Sequence, residues 1–174
     1  MTVGITCKGE CMSMIGNFVA VDGATLSRLR SNPNEVVGLL YPEDEESPAN
    51  FLDVEKAWHA IHFTLNGSLW EGQGPLGLAV LGGTEIGEDV GYGPARFLLQ
   101  DQVKEVADAL SKVSEAEFNA RFDAHAMDEQ GVYPQIWSRD GDFGRSYVFG
   151  HFMNLVSFYR EAANRRDAML LFIN

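Results

Sequence analysis

Two histidines three residues apart, with a glutamate one helical turn upstream, are the first residues that could do chemistry. They are Glu55, His59 and His62, in the stretch EKAWHAIHFTLNG. Two imidazoles and one carboxylate suit non-haem iron or zinc. A single imidazole can serve as a general acid or base. Which applies depends on the face each occupies. Phe51, Val54, Trp58, Ile61 and Leu65 recur at spacings of three and four, which predicts a helix over 51–67 ended by Gly67. At about 100° per residue, His62 falls at the edge of that apolar stripe. His59 lies about 60° further round, beside Glu55. The expectation is a semi-buried His62 and an exposed His59 paired with Glu55, with no metal site.

The second candidate is the glycine-dense stretch LGGTEIGEDVGYGPAR, residues 81–96. Its glycines do not follow either phosphate-binding fingerprint. Glu85, Glu88 and Asp89 would repel phosphate, and the alternating oxygen ligands of a calcium loop are absent. Turn geometry accounts for the glycines. Arg96, at the start of a strand expected over 95–98, either pairs with a buried carboxylate or points into a cleft at an anionic group. Tyr92, Tyr133 and Trp137 add rings with polar edges, suited to a binding cleft or to a core. No serine sits in a nucleophile elbow. His125 is expected to end a helix near Asp128, and His151 to be a buried, singly bonded imidazole. Cys7 and Cys11 read as free thiols, since no second pair completes a zinc site.

The elements that position these residues follow from periodicity and caps. SMIGNFVAV reads as a strand and DGATLSRLR as a helix with Asp22 as N-cap. YPEDEESPAN is a loop with a carboxylate run from Glu43 to Glu46. A short helix or turn is expected at 76–81. DQVKEVADALSKV is amphipathic, with Asp101 as its expected N-cap. Ser114 and Glu117 form a capping box, with Phe118 and Phe122 on the buried side. FGRSYVFGHFMNLVSFYREAANRR is a long helix, apolar over a wide arc. DAMLLFI closes the chain as a strand. The predicted fold class is α+β: a single domain with a small sheet, several packed helices, and a long C-terminal helix followed by a final strand.

Composition narrows the function. The 174 residues are 45% hydrophobic and carry a formal net charge of −12. Nucleic acid and anionic membrane are disfavoured as partners, because either would be repelled. A protein with a basic surface is favoured. No apolar run reaches the roughly 20 residues of a membrane span. With no signal peptide visible, a cytoplasmic location is expected. No cofactor signature is present.

Several landmarks together resemble one family. SMIGNF, AWHAIHFTLNG, LGGTEIGEDVGYGPARFL followed by QVKEVADAL, GVYPQIW, and FMNLVSFYREAANRRDAMLLFI are similar to the bacterial YfbM-like family. The resemblance runs from about Met12 to the C-terminus, leaving 1–11 as an N-terminal extension and 12–174 as the domain. It implies an α+β fold and a bacterial cytoplasmic setting. The family is a domain of unknown function, so it implies no reaction. Its pattern maps onto Trp58, His62, Gly67, Gly83, Tyr92, Gly93, Pro94, Arg96, Tyr133 and Pro134. His59 is not part of it.

Two functional readings follow. In the first, the protein acts by binding another protein, as immunity proteins and antitoxins do, its acidity speeding encounter with a basic surface. In the second, it binds or converts a small molecule in a cleft formed by His62, Tyr92, Arg96 and Tyr133. There Arg96 would hold an anionic group and His62 would act as acid or base. Trp58 and Trp137 complete the candidate cleft residues.

Overall fold

A computed structural model describes residues 13–43 and 47–174. Cys7, Cys11 and most of the acidic run lie outside the described residues. At its centre is an antiparallel sheet in the order β2-β1-β5-β4-β3. The strands are β1 (Gly16–Val21), β2 (Phe51–Asp53), β3 (Thr84–Asp89), β4 (Pro94–Leu98) and β5 (Ala168–Ile173). The closing segment of the chain is therefore the central strand, pairing with β1 on one side and β4 on the other. Both its faces are covered, which explains why AMLLFI is apolar throughout rather than alternating.

Each face of the sheet has its own core. Val19, Val21, Ala95, Phe97, Leu170 and Phe172 pack against Leu26 and Leu29 of α1 (Gly23–Ser31) and Val36 and Leu40 of α2 (Glu35–Leu40). Phe18, Ala20, Leu98, Met169 and Leu171 face the larger helical layer. That layer comprises α3 (Trp58–Asn66), α4 (Gly74–Leu81), α5 (Gln100–Leu110), α6 (Glu115–Arg121), α7 (Ala124–Gln130) and α8 (Trp137–Arg165). The α+β class with a long last helix and a final strand holds.

Asp22 caps α1, accepting from the Thr25 amide at 2.7 Å. Ser114 and Glu117 cap α6 reciprocally. Several boundaries differ from expectation. Leu99, not Asp101, is the N-cap of α5, and the Gln102 side chain accepts from its amide at 2.9 Å. His125 opens α7 rather than ending a helix, and its ring is 3.5 Å from Glu129. The glycine-dense stretch contains β3, a strand not expected there. The long helix buries a single stripe (Gly144, Val148, Phe152, Leu155, Tyr159, Ala162) and is interrupted at Gly141, φ 52° and ψ −125°.

The largest revision concerns 51–67. Phe51–Asp53 pairs with β1 as an edge strand. Glu55 then takes a left-handed φ of 47°, and a 3-10 turn at Glu55–Ala57 leads into α3, which starts only at Trp58. The apolar stripe of the sequence thus spans two elements. Gly16 permits the join, since a Cβ there would collide with Trp58.

Candidate functional site

His59 and His62 are both buried, at 2% and 0% exposure, which overturns the expectation of an exposed His59. Helices α4, α6 and α8 pack around α3, and the segments carrying Leu69, Trp70 and Tyr133 close over His59. The His59 ring is fixed at both nitrogens. Nδ1 accepts the Tyr133 amide proton at 3.0 Å. Nε2 therefore carries the ring proton and donates to the Leu69 carbonyl, also at 3.0 Å. Burial lowers the His59 pKa, with the Leu69 bond opposing. Glu55 is turned elsewhere: its carboxylate accepts from the Tyr147 hydroxyl at 3.0 Å and lies 3.8 Å from His151 Nε2. Glu55, His59 and His62 do not converge. Among the described residues no three His, Cys, Asp or Glu side chains are grouped to hold a metal ion.

His62 Nδ1 lies 3.4 Å from the Asn66 amide nitrogen. Its Nε2 has no hydrogen-bond partner of good geometry among the described residues. Burial pushes its pKa down to about 4; the Glu71 main chain opposes this and repulsion from His59 adds to it. His62 is thus a neutral core imidazole. His151 is mostly enclosed rather than fully buried. It lies edge-on to Tyr147 at 4.7 Å, and its Nδ1 has no hydrogen-bond partner among the described residues.

His59 has a positioning role that spacing alone does not reveal. Its ring stacks on Trp58 at 4.6 Å, and on its other contact lies Trp70 at 4.7 Å. Trp58 is buried and donates from Nε1 to the Met14 carbonyl. Trp70 is tilted against His59, lies 6.4 Å from Trp58 as well, and is 63% exposed. The loop carrying it is drawn against α4, where a Cβ on either Gly72 or Gly77 would collide with the other's backbone.

Trp70 stands at a cleft of about 230 Å³ that is also lined by Leu81, Glu85, Tyr92, Pro94, Arg96 and Ile173. Tyr92 and Arg96 meet here. His62, Tyr133 and Trp137 are not part of its lining, so the six candidate residues do not form one cleft. The Tyr133 hydroxyl accepts from the Met14 amide at 3.1 Å. Trp137 is buried and donates from Nε1 to the Val132 carbonyl at 3.1 Å. Arg96 is committed to the fold. One guanidinium nitrogen donates to the Leu81 carbonyl at the C-terminal end of α4, at 2.6 Å, and another lies 3.3 Å from Glu85 directly across the strand pair. Glu85 is exposed, unlike the buried carboxylate considered from sequence. The signal that could have found Trp70 is a tryptophan in the polar, glycine-bearing turn just beyond the stop at Gly67.

A domain of unknown function (DUF1877) matches residues 12–172. The chain belongs to this family. A crystal structure titled as a protein of unknown function, YfbM from Escherichia coli, matches with a TM-score of 0.74 at 22% sequence identity. The match covers 92% of this chain and 99% of that one. At that identity the likeness establishes the fold alone. No curated protein matches the chain. Neither the family nor the YfbM structure supplies a reaction.

Proposed function

We propose that this protein acts by binding another protein with a basic surface, through the face carrying Trp70, Tyr92 and Arg96. The observation that carries the reading is the exposed Trp70 indole, held on the Trp58–His59 stack at the mouth of a shallow cleft. Tryptophan and tyrosine are enriched among binding hot spots, and Arg96, held by Leu81 and Glu85, forms part of the cleft wall. A ring already fixed in place loses little freedom on binding, so more of its contact energy appears as affinity. Glu71, Glu85, Glu88 and Asp89 are exposed on this part of the chain, and the whole chain carries −12. That charge complements a basic partner and speeds encounter.

A bacterial cytoplasmic protein that covers the basic working face of another, as an immunity protein or antitoxin does, is the concrete form we favour. The small-molecule reading is weaker. The cleft is below the roughly 300 Å³ of common ligand sites. His62 is enclosed, and the Arg96 guanidinium already serves Leu81 and Glu85. Affinity capture by the tagged protein from a lysate of its own source, at low and at high salt, tests the proposal. A stoichiometric basic partner released by salt is expected. Capture of nothing, together with a small-molecule ligand displaced by Tyr92→Ala, would refute it.

A further inference from the structure

A second face, independent of the Trp70 face, carries an unusual pairing of knob and hole. Phe143 is the most exposed large apolar side chain among the described residues, at 76%. It stands two residues after the break at Gly141 in α8. Gly144 is buried against Trp137, leaving its neighbour Phe143 on the outer side. Beside the break lies a largely apolar pocket of about 220 Å³, lined by Pro134, Ile136, Trp137, Phe143 and Tyr147 together with Lys56 and Asp140. A dry cavity of about 150 Å³ already holds benzene, so this one accepts an aromatic ring. The Tyr147 hydroxyl is spent on Glu55, and the wall it offers is therefore its ring.

We infer that the occupant is the Phe143 ring of a second copy of this chain, in a two-fold symmetric dimer. Knob and hole lie side by side on one patch. A two-fold contact brings the same patch together from both subunits, so each Phe143 enters the other's pocket. The local charge permits it. Lys56, Arg139 and Arg145 offset all but one of the carboxylates Asp53, Glu55, Asp140 and Asp142, and two of these pairs are formed within the chain, Arg139–Asp140 at 2.7 Å and Arg145–Asp142 at 2.8 Å. A near-neutral patch is where two copies of a chain carrying −12 repel least. A standard interface covers about 800 Å² per partner, a small part of the 9818 Å² surface.

Sedimentation velocity on the full chain, from about 1 µM to about 200 µM, reads this directly, since that range spans micromolar association. The wild type should shift from monomer to dimer. Phe143→Asp should weaken the dimer by about 30-fold or more, while Phe143→Trp should retain it. Phe143 is exposed, and circular dichroism of each variant confirms the fold. Raised salt should preserve or tighten the dimer, because it screens the net repulsion; the basic partner proposed above should instead be released. A wild type that stays monomeric throughout would overturn the inference. So would a dimer unmoved by Phe143→Asp, or a monomer that takes a different protein into this pocket.

Discussion

Replacing His62 by glutamine should flatten the acid side of the stability profile. His62 is enclosed, and burial lowers its pKa from 6.5 to about 4. In the unfolded chain the imidazole takes up a proton near pH 6.5; in the folded chain it resists until about pH 4. The folded pKa is depressed, so His62 costs no stability above about pH 6.5. Below that, stability falls as pH drops, because the unfolded state binds the extra proton. At about 1.4 kcal/mol per pKa unit, the loss is about 1.4 kcal/mol on going from pH 7.5 to 5.5 and about 2 kcal/mol by pH 5. His62→Gln removes this contribution and leaves His59 and all carboxylates in place. Urea unfolding of both proteins at pH 7.5, 6.5, 5.5 and 5.0 should show wild type losing more stability than the variant by those amounts. Parallel profiles would refute the reasoning. So would a His62 titration near 6.5 followed by NMR in the folded protein.

Two further outcomes follow from particular bonds. Asp128 of α7 accepts the amides of Trp137 and Ser138 at 3.1 and 2.7 Å, capping the start of α8 from a different helix; Asp128→Ala should cost about 1–2 kcal/mol by urea unfolding at pH 7. Burial favours the protonated acid, but the Ser138 and Trp137 bonds prevail and hold its pKa below the usual carboxylate value, so the Asp128 contribution is present at neutral pH and fades as pH falls through the lowered pKa. Tyr159 is fully buried, and its hydroxyl donates to the Ala79 carbonyl at 2.9 Å, tying α8 to α4; Tyr159→Phe should cost about 1 kcal/mol, read as a lowered midpoint of thermal unfolding.

Local rules in the sequence carried much of the architecture. Asp22, and Ser114 with Glu117, act where their chemistry places them, and the apolar runs of β1 and β5 are strands. What failed was long-range. The stripe from Phe51 to Leu65 looks like one helix because an edge strand, a left-handed Glu55 and a helix happen to bury side chains in phase. Nothing local reveals that β2 finds its hydrogen bonds on β1. The acidic glycine stretch hid β3 for a similar reason: glycines 83, 87, 91 and 93 take positive φ, while Thr84–Ile86 between them pairs with β4. For the site, the sequence suggested one cleft shared by His62, Tyr92, Arg96 and Tyr133, whereas only Tyr92 and Arg96 of these line the cleft at Trp70. His59 was placed on the wrong face, since its burial comes from the Tyr133 and Leu69 backbones. Trp70 escaped because its position depends on a ring stack that no spacing rule encodes.

The central claim is that Trp70, presented by the Trp58–His59 stack, is the anchor of a protein-binding face. Its most direct test is capture by wild type and Trp70→Ala side by side at low salt, with unfolding curves confirming that both are folded. The account predicts a salt-released basic partner on the wild type and its loss, by about 30-fold or more in affinity, on the variant. Equal capture by the two proteins would contradict it.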